Sequence, residues 1–162
     1  MASFSSRQRF PVPVSALFDA HTDPRFQEEK SLALGATTAR ASRKEEADGT
    51  IVVEIYSSQP ARWGSGEANA GTMIYRLDPK TLRGTWTRAQ KGFEKKAKAE
   101  GTIVFLADGE DGSKVMVDGV IEIRVPLMGK LIERKIVAAI ASEERKEEAM
   151  ATTLLLRRQA AT

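Results

Sequence analysis

Residues 3–10 alternate with a period of two, with Phe4, Ser6, Gln8 and Phe10 on one side and Ser3, Ser5, Arg7 and Arg9 on the other. That period predicts a half-buried strand, ended by Pro11 and Pro13. Residues 14–20 then read as a short helix with Val14, Leu17 and Phe18 on its apolar face. Asp23-Pro24 has the form of a helix cap followed by proline at the first helical position. Phe26, Leu32 and Leu34 are the expected contacts of this second helix, and Gly35 suits its end.

From residue 36 to residue 125 the pattern is mostly strands. Residues 36–45 and 50–57 flank Asp48-Gly49, a hairpin signal. Residues 57–71 form a long loop of small residues around Trp63, a length often linked to function. Strands are expected at 72–78, 82–90, 95–106 and 114–125, and the last carries Val115, Val117, Ile121, Ile123 and Val125 on one face. Asp118, Glu122 and Arg124 fall on the other face, as in an antiparallel sheet with one wet side. Pro126 then stops ladder pairing, Gly129 allows a close pass or a bend, and a helix runs from Leu127 to Arg158. Its stripe is Met128, Ile132, Ile136, Ala139, Ile140, Met150 and Leu154, interrupted by the charged run 142–148. Glu143 and Glu147 stand where the stripe would continue, so that section is expected to face solvent or overhang the sheet.

The order is strand, two helices, six strands, long helix. The expected class is α+β: a curved antiparallel seven-stranded sheet wrapped around a long C-terminal helix, with two short helices between strands 1 and 2. Such a two-layer arrangement buries both apolar faces at once. A chain of 162 residues is expected to be one domain, 1–162.

Composition narrows the chemistry. Without cysteine there is no disulfide framework, thiolate metal site or cysteine nucleophile, and the lone His21 does not anchor zinc. No metal or cofactor is expected. The first ten residues contain no apolar run, and no stretch reaches the roughly 18–20 apolar residues of a bilayer span. A soluble, cytoplasmic protein is the expectation. The charges nearly balance, 25 basic against 22 acidic, so nucleic acid is not the expected partner. Arg83, Arg88, Lys91, Lys95, Lys96 and Lys98 cluster in sequence around Trp86 and Phe93. Strand alternation scatters them, so the cluster reads first as a solvated hairpin and second as a weak anionic membrane contact. No catalytic constellation is present: His21 has no serine or cysteine partner, and Gly64-Ser-Gly66 lacks a dinucleotide-binding context.

The segment from Pro13 to Lys30 with Leu34-Gly35-Ala36, and the segment Val125-Pro-Leu-Met-Gly-Lys-Leu-Ile-Glu133, resemble the START-like (SRPBCC) superfamily, and most of all an uncharacterised bacterial branch of it. The resemblance implies the helix-grip fold and an apolar cavity between the sheet and the last helix. It implies binding or transport of a hydrophobic, lipid-like small molecule. The alternatives are a polyketide-cyclase-like enzyme and a ligand-free protein-interaction module. The expected lining is Phe10, Phe18, Val53, Ile55, Met73, Tyr75, Trp86, Ile103, Phe105, Val117, Ile121, Met128, Ile132 and Ile136. Ala39, Ala41, Gly84, Ala97, Ala99, Gly101 and Gly119 share the inward face and are expected to leave space there. Tyr75, Trp86, Gln8 and Arg88 are the inward residues with polar tips.

Overall fold

The computed structural model describes residues 1–60 and 69–161. Strand β1 (Ala2–Phe10) leads into helices α1 (Val14–His21) and α2 (Pro24–Ala33). Strands β2 (Thr38–Glu45), β3 (Ile51–Gln59), β4 (Asn69–Asp78), β5 (Arg83–Gln90), β6 (Ala97–Ala107) and β7 (Ser113–Ile123) follow, and α3 (Gly129–Ala160) ends the chain. All neighbours pair antiparallel in one curved seven-stranded sheet, order β1-β7-β6-β5-β4-β3-β2. This is the helix-grip architecture expected from the order of elements. Trp63 lies outside the described residues.

The period-two pattern aligns across all seven strands. One register row reads Val53, Tyr75, Trp86, Gly101, Gly119, Phe4. The next row toward α1 and α2 reads Ile51, Leu77, Gly84, Ile103, Val117, Ser6. Every strand residue expected on the inward face therefore lies on it. Leu17, Phe18 and Phe26 from the short helices and Ala151, Leu154 and Leu155 from α3 complete the core. In α2 the buried pair is Phe26 and Gln27, whereas Leu32 is exposed. Gln27 is needed inside because its Nε2 donates to the His21 carbonyl at 2.8 Å, satisfying the end of α1.

In the charged run of α3, Glu143 faces solvent as expected, but its neighbours Glu144, Arg145 and Glu148 reach back to the sheet. Helix α3 packs along β1, which is an edge of the sheet. The Glu144 carboxylate accepts from the Arg7 backbone N–H at 2.8 Å and the Ser6 hydroxyl at 2.6 Å. Glu148 accepts from the Arg9 N–H at 2.9 Å, and the Arg145 guanidinium donates to the Arg7 carbonyl at 3.1 Å. These side chains occupy the edge groups that would otherwise template another strand. The Ser6 hydroxyl first, then the Arg7 N–H and the Arg145 charge, hold the Glu144 carboxyl below its usual range. Its contribution is therefore present above the unfolded value of about 4.3 and is lost as pH falls through the lower folded one. Glu144→Ala is expected to cost about 1 kcal/mol, the modest value reflecting solvent contact. The variant should also self-associate through β1, which urea titration with size-exclusion chromatography would check.

Candidate functional site

The middle row of the concave face is closed by aromatic rings lying over glycines. A methyl group on Gly119 would overlap the Trp86 ring and stand 2.8 Å from Phe4 Cε1. The Phe4 and Trp86 ring centroids are 5.8 Å apart, and the indole N–H donates to the Asp118 carbonyl at 3.2 Å. Gly101 and Gly84 are crowded by backbone, from Asp118–Gly119 and from Arg76–Leu77 respectively. These glycines therefore leave no space. They are small because rings and neighbouring strands already fill the volume that side chains would need.

Burial then falls away along the strands. On the α1–α2 side, Phe10, Ile51, Leu77, Ile103, Phe105 and Val115 are buried in the core. On the other side the row Ala41, Ile55, Met73, Arg88, Ala99, Ile121 is uneven: Ile55 and Ile121 are buried and Arg88 is exposed. Met73 and Ala99 are half-buried, and so are Ala97 and Ile123 beyond them. Helix α3 starts at this end, and Ile132, Ile136 and Ile140 on its inward stripe are half-buried as well. The concave face is thus filled toward α1 and α2 and less covered toward the start of α3.

The expected lining divides accordingly. Phe10, Phe18, Val53, Ile55, Ile103 and Phe105 belong to the filled core, Ile121 is buried as well, and Trp86 closes the middle. Met73, Tyr75, Val117, Ile132 and Ile136 are half-buried. Met128 is 48% exposed in the β7–α3 connection.

Two of the four polar tips on the inward face serve the fold. The Trp86 N–H is bonded as above, and Gln8 Nε2 donates to the Glu144 carbonyl at 3.1 Å. Tyr75 and Arg88 remain. The Tyr75 ring meets the His21 ring edge-on at 4.5 Å, and His21 meets Phe105 at 5.0 Å. Neither the Tyr75 hydroxyl nor His21 Nε2 has a hydrogen-bond partner among the described residues, and His21 is only 8% exposed. Burial, and then the Lys30 charge, push the imidazole well below its ordinary value, so it is neutral at pH 7. Burial and the Glu147 carboxylate push the Tyr75 phenol up, with Arg88 opposing. Lys30 Nζ stands 4.0 Å from Glu147 Oε1. Arg88 has no acidic partner among the described residues, and its head lies over Gly71, whose missing side chain makes the room.

Sequence reasoning placed Tyr75 and Arg88 on the right face. It did not bring His21, Lys30 and Glu147 to them. These residues come from the ends and faces of three helices, and no local pattern encodes their approach. Other hollows among the described residues include a 510 Å³ cleft beside α1 lined by Val14, Phe18, Arg43 and Leu82, and a broad 660 Å³ depression, mainly on the outer sheet face, around Thr85, Thr102 and Asp118.

A family model described as "Protein of unknown function (DUF2505)" matches residues 5–155. A search of curated protein sequences finds no match. Among solved structures, the protein TTHA0849 from Thermus thermophilus superposes with a TM-score of 0.69 at 19% identity, covering 97% of this chain and 99% of that one. A START superfamily protein from Mycobacterium smegmatis gives 0.60 at 14% identity, covering 99% of each chain. The Zhui aromatase/cyclase from a Streptomyces species gives 0.56 at 13% identity, covering 97% of this chain and 92% of that one. At these identities the likeness establishes a START-like fold.

Proposed function

We propose that this chain, which belongs to the DUF2505 family of proteins of unknown function, binds a lipid-like small molecule in the open half of the groove between the sheet and α3. The observation that carries this reading is the pair of half-buried apolar surfaces, Met73 and Ala99 below and Ile132, Ile136 and Ile140 alongside, next to two polar tips without hydrogen-bond or ion-pair partners among the described residues. Covering about 200 Å² of apolar ligand and lining would contribute about 5 kcal/mol. The exposed Arg88 guanidinium and the neutral Tyr75 hydroxyl would hold an anionic or hydrogen-bonding head group, Arg88 through charge-assisted hydrogen bonds.

Native mass spectrometry on freshly purified protein, with lipid extraction of the same sample, is the direct test. A discrete added mass that is lost on extraction is expected. Titration with the fluorescent fatty acid cis-parinarate should saturate, with Arg88→Met weakening it about tenfold. A clean apo mass together with no saturable parinarate signal would sink the reading.

A second reading is a cyclase-type enzyme, and the observation that favours it is the neutral, unpartnered His21 ring against the free Tyr75 hydroxyl. That pair offers a base and an acid side by side at the floor of the groove. Asp118 and Glu122 stand on the outer register and would take no part. Turnover of a polyketide-like substrate, lost in Tyr75→Phe while parinarate still binds, would replace the binding reading with this one.

A further inference from the structure

The connection from β7 to α3 exposes apolar side chains that the fold does not use. Leu127 is fully exposed, and its φ of 68° lies in the left-handed region, where a leucine is strained. Gly129, expected to allow a close pass or a bend, has no such φ; it makes the close pass, since a side chain there would overlap the Ile123 carbonyl. Met128 and Leu131 beside it are 48% and 45% exposed, and Phe93 in the β5–β6 turn is 53% exposed. The two segments are joined by the Arg124 N–H donating to the Lys96 carbonyl at 2.6 Å. A strained backbone that drives a leucine straight into solvent brings the folded chain neither contacts nor burial.

The same end of the molecule is strongly basic. Lys91, Lys95, Lys96 and Lys130 form no ion pair among the described residues. Of the nearby acids, Glu122 is engaged by Arg124 at 3.4 Å, and Glu133 by the Ile123 N–H at 2.9 Å and the N-terminal amine at 2.8 Å. Glu100 is paired with Lys98 at 3.1 Å, which leaves Glu94 to dilute the cations.

We infer that Phe93, Leu127, Met128 and Leu131, ringed by these lysines, form a docking surface for an anionic lipid bilayer. Apolar tips enter the acyl boundary while lysines stay at head-group level, the arrangement of interfacial binding segments. Each cation held near an anionic surface strengthens binding about fivefold. A nucleic acid would satisfy the lysines but leave Leu127, Met128 and Leu131 in water, since aliphatic side chains do not stack on bases and only one aromatic ring is present. The inference does not depend on what the groove holds, although docking here would set the open end of the groove against the membrane.

The test is co-sedimentation of the full chain with phosphatidylcholine vesicles and with vesicles containing about 30% phosphatidylserine. Binding is expected only to the anionic vesicles, and it should fall as salt is raised. Leu127→Gly is the informative variant: glycine relaxes the backbone, so the melting temperature should hold or rise. Combined with Phe93→Ser it should weaken vesicle binding about tenfold. Lys95→Glu with Lys96→Glu should weaken it at least as much. Absence of binding to anionic vesicles overturns the inference. So does binding lost on lysine reversal but indifferent to Leu127→Gly and Phe93→Ser, and competed by a single-stranded oligonucleotide, which would assign the surface to nucleic acid instead.

Discussion

Gly101→Ala is expected to destabilise the protein by about 3 kcal/mol or more, a large effect for one methyl group. The added carbon would overlap the Asp118 carbonyl oxygen and lie 2.7 Å from Gly119 Cα. Both obstacles are backbone of the adjoining strand and are fixed by the β6–β7 ladder. Moving them would also disturb the Trp86 N–H bond to that same carbonyl. Gly119→Ala is a graded control, because its clash is with the rings of Trp86 and Phe4. Rings on rotatable bonds can shift, so that variant should cost about 1–2 kcal/mol and should show in tryptophan fluorescence. Urea titration of both variants decides the matter. If Gly101→Ala is nearly neutral, or costs less than Gly119→Ala, the close approach of the strands is not what keeps position 101 small.

The same pair of glycines shows what a sequence can and cannot convey. The faces of all seven strands were legible, because alternation survives any curvature and Phe4, Trp86, Ile103 and Val115 had to point the same way. The meaning of the gaps was not. A glycine opposite a large residue reads equally as empty space or as a seat for a ring, and only register decides. Gly101 and Gly119 turn out to be seats, while the less covered part of the face lies one row further on, around Met73, Arg88 and Ala99. The acidic run in α3 was legible only in part for a similar reason. Glu143, read as breaking the apolar stripe, does face solvent, but the partners of Glu144 and Glu148 are main-chain N–H groups of β1, which carry no sequence signature. At the β7–α3 turn, Gly129 makes the close pass read for it, against the Ile123 carbonyl, yet the left-handed residue is Leu127. When local preference loses this plainly, the position is either strained for a purpose or held by its surroundings. An exposed leucine has no surroundings to hold it.

Replacing His21 with phenylalanine is expected to remove most of the acid sensitivity of the fold between neutral pH and the range where carboxylates titrate. The imidazole is enclosed by Tyr75 and Phe105, with Lys30 adding an opposing charge, and both effects depress its folded pKa. In the unfolded chain the group should titrate near its ordinary value of about 6.5. Below that value the unfolded state binds a proton that the native state refuses. Stability conferred by the neutral ring is therefore complete above about pH 6.5 and is lost as pH falls toward the depressed folded value. The slope approaches 1.4 kcal/mol, roughly, for each pH unit in that window. Phenylalanine keeps the edge-on contacts with Tyr75 and Phe105 and carries no proton site. It also removes the buried Nε2 that has no partner among the described residues, a gain of about 1 kcal/mol at neutral pH. The check is a urea titration of each protein at about pH 7.5, 6 and 5. Divergent curves, with His21→Phe the flatter and the more stable, are the expected result. Parallel curves would mean that the ring is protonated inside the fold, with Glu147 or water reaching it. The groove floor would then be a charged site, and the neutral acid–base pair behind the cyclase reading would be lost with it.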